Sequence, residues 1–192
     1  EQKWYVSVEH KAQWEAALSQ EEVDGIYCSI SMYSVKNFRE EVLQDIQVTH
    51  QAGKEYYLTL PYVLREGRLD NRIQAIREVG KSADGFVIRN LEELGYLKNL
   101  GLERKAVGDY SLYSFNDLSQ NFLEDMGLLR TTVPLELNGK EIRRKECSRS
   151  EMIVYGYYPM MISAQCVKKT CGTCDHQSGT VPVSYTHLRA HE

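Results

Sequence analysis

Residues 85–108, GFVIRNLEELGYLKNLGLERKAVG, hold a complete strand–helix–strand unit and decide the fold. The apolar runs at 85–88 and 105–108 predict two buried strands. Between them, residues 91–100 repeat leucine at helical spacing, and Gly101 is placed to end that helix. Two strands joined by one short helix favour a parallel arrangement, because parallel neighbours need a crossover connection.

The same alternation continues in both directions from this unit. Further strands are predicted at 4–8, 25–30, 56–60, 128–133 and 151–155. Helices are predicted at 11–18, from an N-cap at Ser34 to near Gly53, at 69–79, from Asn116 or Asp117 to Gly127, and weakly at 138–147. Seven strands alternating with helices predict an α/β fold with a parallel sheet, in either an open or a barrel form.

The composition fits one globular domain. The 192 residues are 42% hydrophobic, which is enough for a single core. The net charge is −4 and the pI about 5.8, so no overall basic field indicates nucleic-acid binding, and any RNA contact would have to be local. The sequence has no run of 18 apolar residues and no signal-peptide pattern, so we expect a cytoplasmic protein without a membrane contact.

Both ends of the sequence have patterns typical of a truncated chain. The chain opens on Glu1 and enters a predicted strand at Trp4, which indicates a start internal to a longer protein. Residues 183–192, VSYTHLRAHE, resemble a translated sequencing adapter. We therefore expect a barrel domain over 1–180 and an artefactual or disordered tail over 181–192 that packs against nothing.

Three cysteines lie within nine residues of the segment 155–174, YGYYPMMISAQCVKKTCGTC. Reduced cysteines this close together are typical of a shared metal. Cys166, Cys171 and Cys174 are therefore the candidate metal ligands, for an iron–sulfur cluster or for zinc, with unmetallated thiols as the third possibility. The other two cysteines, Cys28 in a strand and Cys147 in a charged segment, are expected to be bystanders.

The cysteine segment resembles that of peptidase family U32, the collagenase-like proteases, and most of all its large clostridial-type members. The resemblance extends through WYVSVEHKAQWEAAL (4–18), DGFVIRNLEELGYLKNLGL (84–102), DYSLYSFN (109–116) and VPLELN (133–138). It implies a TIM-type barrel, incomplete here by a strand. It also implies a four-iron four-sulfur cluster held by four cysteines. Cys166 and Cys174 match family positions, Cys171 matches none, and the remaining ligands are absent from this sequence.

Ligands of parallel βα folds bind at the carboxyl ends of the strands. The candidate catalytic residues are polar side chains that follow the predicted strands, and we expect them to surround one opening: Arg89, Asn90, Asp109, Asn116, Glu136 and Tyr155. Structural alternatives remain, because Asn90 can simply cap the following helix and Glu136 can pair with Arg89. Tyr110 and Tyr113 can stack on a flat ring or pack in the core.

Three functions remain open. The resemblance implies an oxygen-independent iron–sulfur hydroxylase that modifies an RNA base or a related small ring. The family name implies a peptidase acting on a peptide substrate, although the sequence has no His-Glu-x-x-His or Gly-x-Ser-x-Gly motif. The third hypothesis is a non-catalytic binding barrel within a larger protein.

Overall fold

The computed structural model describes residues 2–62, 70–157, 159 and 162, and of residues 70–74 the backbone alone. The predicted ligands Cys166, Cys171 and Cys174 lie outside the described residues, as does the predicted tail over 181–192. Within the described residues, none of the helices is long and apolar enough to cross a membrane.

Strands and helices alternate through the described chain. The strands are β1 (Tyr5–Val8), β2 (Gly25–Ser29), β3 (Glu55–Thr59), β4 (Gly85–Ile88), β5 (Ala106–Gly108), β6 (Arg130–Thr132) and β7 (Ser150–Glu151). The α-helices are α1 (Lys11–Leu18), α2 (Phe38–Gln51), α3 (Asp70–Ser82), α4 (Leu91–Asn99), α5 (Asp117–Asp125) and α6 (Gly139–Ile142). Short 3₁₀ turns lie at Ile30–Met32, Glu103–Lys105 and Tyr110–Leu112.

The seven strands form one parallel sheet in the order β1 to β7. In a flat sheet β1 and β6 would lie about 24 Å apart, five strand spacings of about 4.8 Å. Instead the guanidinium carbon of Arg130 on β6 lies 4.7 Å from the centre of the Tyr5 ring on β1. The sheet therefore curls round on itself, and β1 and β7 do not pair within the part of the chain that the structure describes. The fold is an incomplete TIM-type barrel, which confirms the predicted class.

The helices cover the outside of the curled sheet. Alternate strand residues such as Ile26, Tyr56 and Phe86 point outward and form the main hydrophobic core with α1 to α5. A second, smaller cluster of Tyr57, Val87 and Val107 lies on the opposite face of the same strands, inside the barrel. This alternation determines which side chains reach the interior and the mouth of the barrel.

Helix α2 begins three residues later than predicted. Its N-cap is Asn37, whereas the sequence favoured Ser34. The Ser34 hydroxyl donates a hydrogen bond to Glu41 at 2.8 Å and accepts one from the backbone N–H of Asn37 at 3.2 Å, so it ties down the loop before the helix. Val35, which lies in this loop, is exposed.

The last two predicted elements are also shorter than expected. Helix α6 covers four residues, where 138–147 was predicted, and β7 covers two, where 151–155 was predicted. The neighbouring strand β6 ends at Thr132, which is paired with Glu151, so the residues after Glu151 have no strand edge to join. Tyr155 is therefore 90% exposed and lies in no strand.

Candidate functional site

Polar side chains follow the inward-facing residues of β2 to β6 at the carboxyl end of each strand. Side chains two positions apart on a strand face the same side of the sheet. The residues two positions beyond the interior side chains are therefore at the barrel mouth: Ser29, Thr59, Arg89, Asp109 and Thr132. Ligands of this type of fold bind at this end.

Arg89 is held in a single orientation at this mouth. Its Nε donates a hydrogen bond to Asp109 at 3.0 Å, and its Nη1 donates to the backbone oxygen of Leu60 at 3.3 Å. Its guanidinium carbon lies 3.6 Å from the centre of the Tyr62 ring, which is cation–π contact. The side chains of Arg89 and Asp109 are only 11% and 13% exposed, so this ion pair is screened far less than a surface pair.

The surrounding backbone fixes both members of the pair. The carboxylate of Asp109 also accepts a hydrogen bond from the backbone N–H of Tyr110 at 2.8 Å, at the start of a 3₁₀ turn. Ser111 donates its hydroxyl to the backbone oxygen of Arg89 at 2.9 Å. The β5–α5 loop is therefore hydrogen-bonded directly to the end of β4, which fixes the positions of Arg89 and Asp109 relative to each other.

The guanidinium of Arg89 keeps N–H donors that can bind a ligand. A guanidinium carries five N–H donors in a plane, and two of them are used by Asp109 and Leu60. Among the described residues, Nη2 of Arg89 has no hydrogen-bond partner. The site can therefore present N–H donors in a fixed plane to a carbonyl, a ring nitrogen or an anion.

Buried hydroxyl groups at the carboxyl ends of β2 and β3 add to this polar surface. Thr59 is 2% exposed, and its hydroxyl has no hydrogen-bond partner among the described residues. Thr59 is the register partner of Ser29, whose hydroxyl lies 2.7 Å from that of Ser31. A buried hydroxyl without a partner is costly, which makes Thr59 a further candidate for ligand contact that sequence reasoning missed.

The remaining predicted site residues make other contacts in the structure. Asn90 caps α4 by accepting from the backbone N–H of Glu93, and Asn116 caps α5 in the same way. Glu136 is exposed, and Arg89 takes Asp109 as its ion-pair partner instead. Local capping accounts for both asparagines, and a role of these residues in the site stays a prediction.

Glu93 is an unexpected buried carboxyl directly behind the site. It lies in the first turn of α4, is 0% exposed, and accepts the backbone N–H of Arg89 at 2.6 Å. Its second oxygen has no hydrogen-bond partner among the described residues. Burial raises the pKa of Glu93 to about 7, although hydrogen bonds from Arg89 and Asn90 oppose the change.

The pH dependence of folding is expected to report Glu93. Its folded pKa of about 7 lies above the ordinary value of 4.5, so its stabilising contribution is complete below pH 4.5 and is lost as the pH rises through 7. The difference between the two pKa values corresponds to about 3 kcal/mol. Glu93→Gln accepts the same backbone N–H but does not ionise.

Denaturant unfolding of both proteins between pH 5 and pH 9 measures this effect. The stability of the parent protein should fall relative to Glu93→Gln by about 3 kcal/mol across that range. Parallel stability curves for the two proteins would show that Glu93 does not titrate in this range.

The barrel interior below the mouth holds a second charged group that sequence reasoning missed. Arg130 donates to Glu151 from Nε, to the Tyr27 hydroxyl at 3.0 Å and to the Tyr57 hydroxyl at 3.3 Å. Its guanidinium carbon also lies 4.9 Å from the centre of the Tyr57 ring. Burial is the main cause that raises the pKa of Tyr27 and of Tyr57, so both remain neutral donors. These side chains fill the barrel and form the floor of the mouth.

The described cysteines do not fit the role of metal ligands. Cys28 is fully buried in β2, and burial raises the pKa of its thiol to about 12, which disfavours the thiolate that metals bind. Cys147 is partly buried, with its sulfur 3.8 Å from the backbone oxygen of Ile142. Among the described residues, no three His, Cys, Asp or Glu side chains come together as a metal-binding group. The thiols of Cys166, Cys171 and Cys174 remain the donor set that suits an iron–sulfur cluster chemically.

Solved structures that match this chain are distant from it, and three of them are as follows. A thiamine phosphate pyrophosphorylase from Pyrococcus furiosus is 11% identical with a TM-score of 0.48, covering 72% of this chain and 63% of that one. A conserved protein of unknown function from Enterococcus faecalis is 11% identical, with a TM-score of 0.33 and coverages of 68% and 48%. An uncharacterized B. cereus protein is 15% identical, with a TM-score of 0.35 and coverages of 69% and 47%. This chain thus spans less than two thirds of each.

Comparison of the amino-acid sequence with known proteins and protein families identifies the family of this chain. No curated protein matches the chain. The family model described as "Peptidase family U32" matches residues 10–178, which is most of the chain and includes the barrel mouth and the three clustered cysteines. This protein therefore belongs to peptidase family U32.

Proposed function

We propose that this chain is the barrel of an iron–sulfur enzyme that hydroxylates or otherwise modifies an RNA base or a related ring without using molecular oxygen. The observation that carries the proposal is the arrangement of Arg89 between Tyr62, Asp109 and the Leu60 oxygen at the carboxyl ends of the strands. Flat heterocycles present carbonyl and ring-nitrogen acceptors in one plane. A fixed guanidinium is suited to bind such an edge.

The residues of the mouth have separate roles in this proposal. Arg89 orients the ring through its remaining N–H groups, and Asp109 and Tyr62 prevent the guanidinium from turning. The hydroxyls of Thr59 and Ser29 offer further hydrogen bonds at the same end of the barrel. Together these groups select a planar polar ligand over an aliphatic one.

The cysteine segment is assigned to the cofactor. Cys166 and Cys174 would hold the iron–sulfur cluster, with Cys171 as a spare thiol between them, and the cluster supplies one-electron redox chemistry when bound. With water as the oxygen source, conversion of a ring C–H to C–OH releases two protons and two electrons. The reaction then needs a two-electron acceptor as co-reactant.

Peptide hydrolysis, which the family description suggests, has weaker support from the described residues. Cys28 is buried with a raised pKa, which disfavours it as a nucleophile. His10 lies at the N-cap of α1, and His50 pairs with Asp84 at 2.8 Å on the outer surface. Within the described chain, neither histidine is hydrogen-bonded to a serine or cysteine in the manner of a nucleophile and its base.

Substitution of Arg89 tests the proposal. In the full-length protein purified without oxygen, Arg89→Lys is expected to lower the yield of modified nucleoside by about 10- to 100-fold. Lysine keeps a positive charge beside Asp109 but loses the planar set of donors. The measurement is mass spectrometry of nucleosides from RNA of cells that lack the protein, after incubation with each variant.

The matched control is Arg104→Lys, an exposed arginine in the turn before β5, at the opposite end of the barrel. It should leave the yield unchanged. Full activity of a folded Arg89→Lys protein would remove Arg89 from the site. A colourless, iron-free protein that cleaves a denatured collagen peptide would replace the proposal with the peptidase function.

A further inference from the structure

Two aromatic side chains are exposed at the rim of the barrel mouth. Tyr113 and Phe115, in the β5–α5 loop, are 51% and 42% exposed. Their rings lie parallel, with an angle of 4° between the planes and 5.8 Å between the centres. They follow Asp109, the partner of Arg89, on the same loop, so they are connected directly to the candidate site.

The backbone of this loop is held in a costly conformation that exposes the rings. Tyr113 has φ of 53°, and among the described residues it is the only non-glycine residue with positive φ. Such a conformation costs about 1 kcal/mol or more. Ser114 between the two rings is 1% exposed, and its hydroxyl lies 3.5 Å from the backbone oxygen of Thr132. The loop is therefore anchored at its centre while both neighbouring rings face solvent.

A locally basic segment lies beside these rings, although the chain as a whole is acidic. Residues 138–149, NGKEIRRKECSR, contain five basic and two acidic side chains. The backbone N–H of Glu146 donates to Asp117 at 3.0 Å, so the segment packs against α5 next to the aromatic loop. Lys140, Arg143 and Arg144 are exposed, and no ion pair joins them to an acidic residue in the described part of the chain.

We propose that Tyr113 and Phe115, with the basic segment 138–149, form a binding surface for single-stranded RNA next to the ring that Arg89 holds. Bases stack on exposed aromatic rings, while arginine and lysine contact the phosphates. The substrate is then an unpaired stretch of RNA, and a free nucleobase is a poor one. This inference rests on the proposed function for the identity of the modified ring, but RNA binding is measured without any reaction.

Fluorescence anisotropy with a labelled, unstructured 12-nucleotide RNA tests the aromatic pair. In the full-length protein, Tyr113→Ala and Phe115→Ala are each expected to raise the Kd for RNA by about 10-fold. Tyr113→Phe keeps an aromatic ring and should bind RNA as the parent does. The matched control is Phe122→Ala, which removes an aromatic ring that is also exposed but lies on the body of α5. This variant should bind as the parent does.

The basic segment has its own test in the same assay. Replacing Arg143 and Arg144 by alanine should weaken binding for every sequence and reduce the slope of log Kd against log salt concentration by about 1 to 2. The control pair, Lys81→Ala with Arg104→Ala, removes two exposed charges before β4 and β5, at the amino ends of the strands. An unchanged slope in this control pair supports a local RNA surface.

The outcomes separate this inference from the proposed function. RNA binding that depends on Tyr113 and Phe115, with no modified nucleoside formed, supports the surface and removes the proposed reaction. Modification of a free ring by a parent protein that binds no single-stranded RNA measurably overturns the surface and leaves the reaction standing. Equal affinity for duplex RNA, an equal loss in Phe122→Ala, or a loss of peptide binding in place of RNA binding also overturns it.

Discussion

Replacing Cys166 or Cys174 with alanine in the full-length protein is expected to reduce bound iron to background and to abolish product formation. The proposed function assigns both residues to the cysteine ligands of one cluster. Loss of one thiolate leaves an iron atom without its protein ligand and exposes the cluster to solvent. Iron and sulfide analysis after anaerobic purification, with an absorption spectrum, measures the outcome independently of activity.

Two other cysteines provide controls for this experiment. Cys171→Ala should retain iron, because Cys171 matches no family ligand position. Cys147→Ala should also retain it, since the described structure shows that sulfur near the Ile142 oxygen and away from any group of metal-binding side chains. If Cys171 proves essential and Cys174 dispensable, the transfer of individual ligands is wrong even though the family is correct. Zinc in place of iron would favour the alternative metal.

The strands β1 to β5 were predictable because each is a short run rich in apolar residues, whereas β6 and β7 consist mainly of polar residues. Residues 85–88 and the helix from Leu91 were located correctly from this pattern. Helix α2 was placed too early because Ser34 satisfies the usual N-cap preference, yet its hydroxyl is used by Glu41 in the tertiary structure. A local pattern cannot show which of two possible partners a hydroxyl takes.

The candidate site was only partly predictable, because a local sequence pattern does not show which side chains meet in the folded protein. Arg89 and Asp109 follow adjacent strands in equivalent positions, and parallel pairing alone brings them together. Tyr62 also follows a strand, but its stacking on Arg89 depends on the path of the chain after Pro61. Glu93 looked like an ordinary acidic residue in a first helical turn, and only its burial gives it a raised pKa.

The charged group inside the barrel could not be predicted from sequence because its members are far apart along the chain. Arg130 and Tyr27 are 103 residues apart, and Tyr27 and Glu151 are 124 apart. Because none of these residues follows a strand, the rule that ligands bind at the carboxyl ends of strands does not identify them. Only the curl of the sheet brings β1, β2 and β3 opposite β6 and β7.

Arg130→Met is expected to destabilise the protein by about 3–5 kcal/mol, because it leaves Glu151 as a buried charge without its partner. The side chains of Arg130 and Glu151 are 17% and 18% exposed, so solvent cannot replace the lost interaction fully. The Tyr5 and Tyr57 rings would also lose their cation–π contacts. Urea denaturation at pH 7 measures the change in the free energy of unfolding.

Two further variants test whether the loss of stability in Arg130→Met comes from the burial of the ion pair. Arg39→Met removes a surface arginine that pairs with Glu78, where both side chains are about half exposed, and should cost less than about 1 kcal/mol. The double variant Arg130→Met with Glu151→Gln should recover part of the loss, because it no longer buries an unpaired charge. A cost below about 1 kcal/mol for Arg130→Met, or no recovery in the double variant, would show that the ion pair does not hold β6 and β7 against the barrel interior.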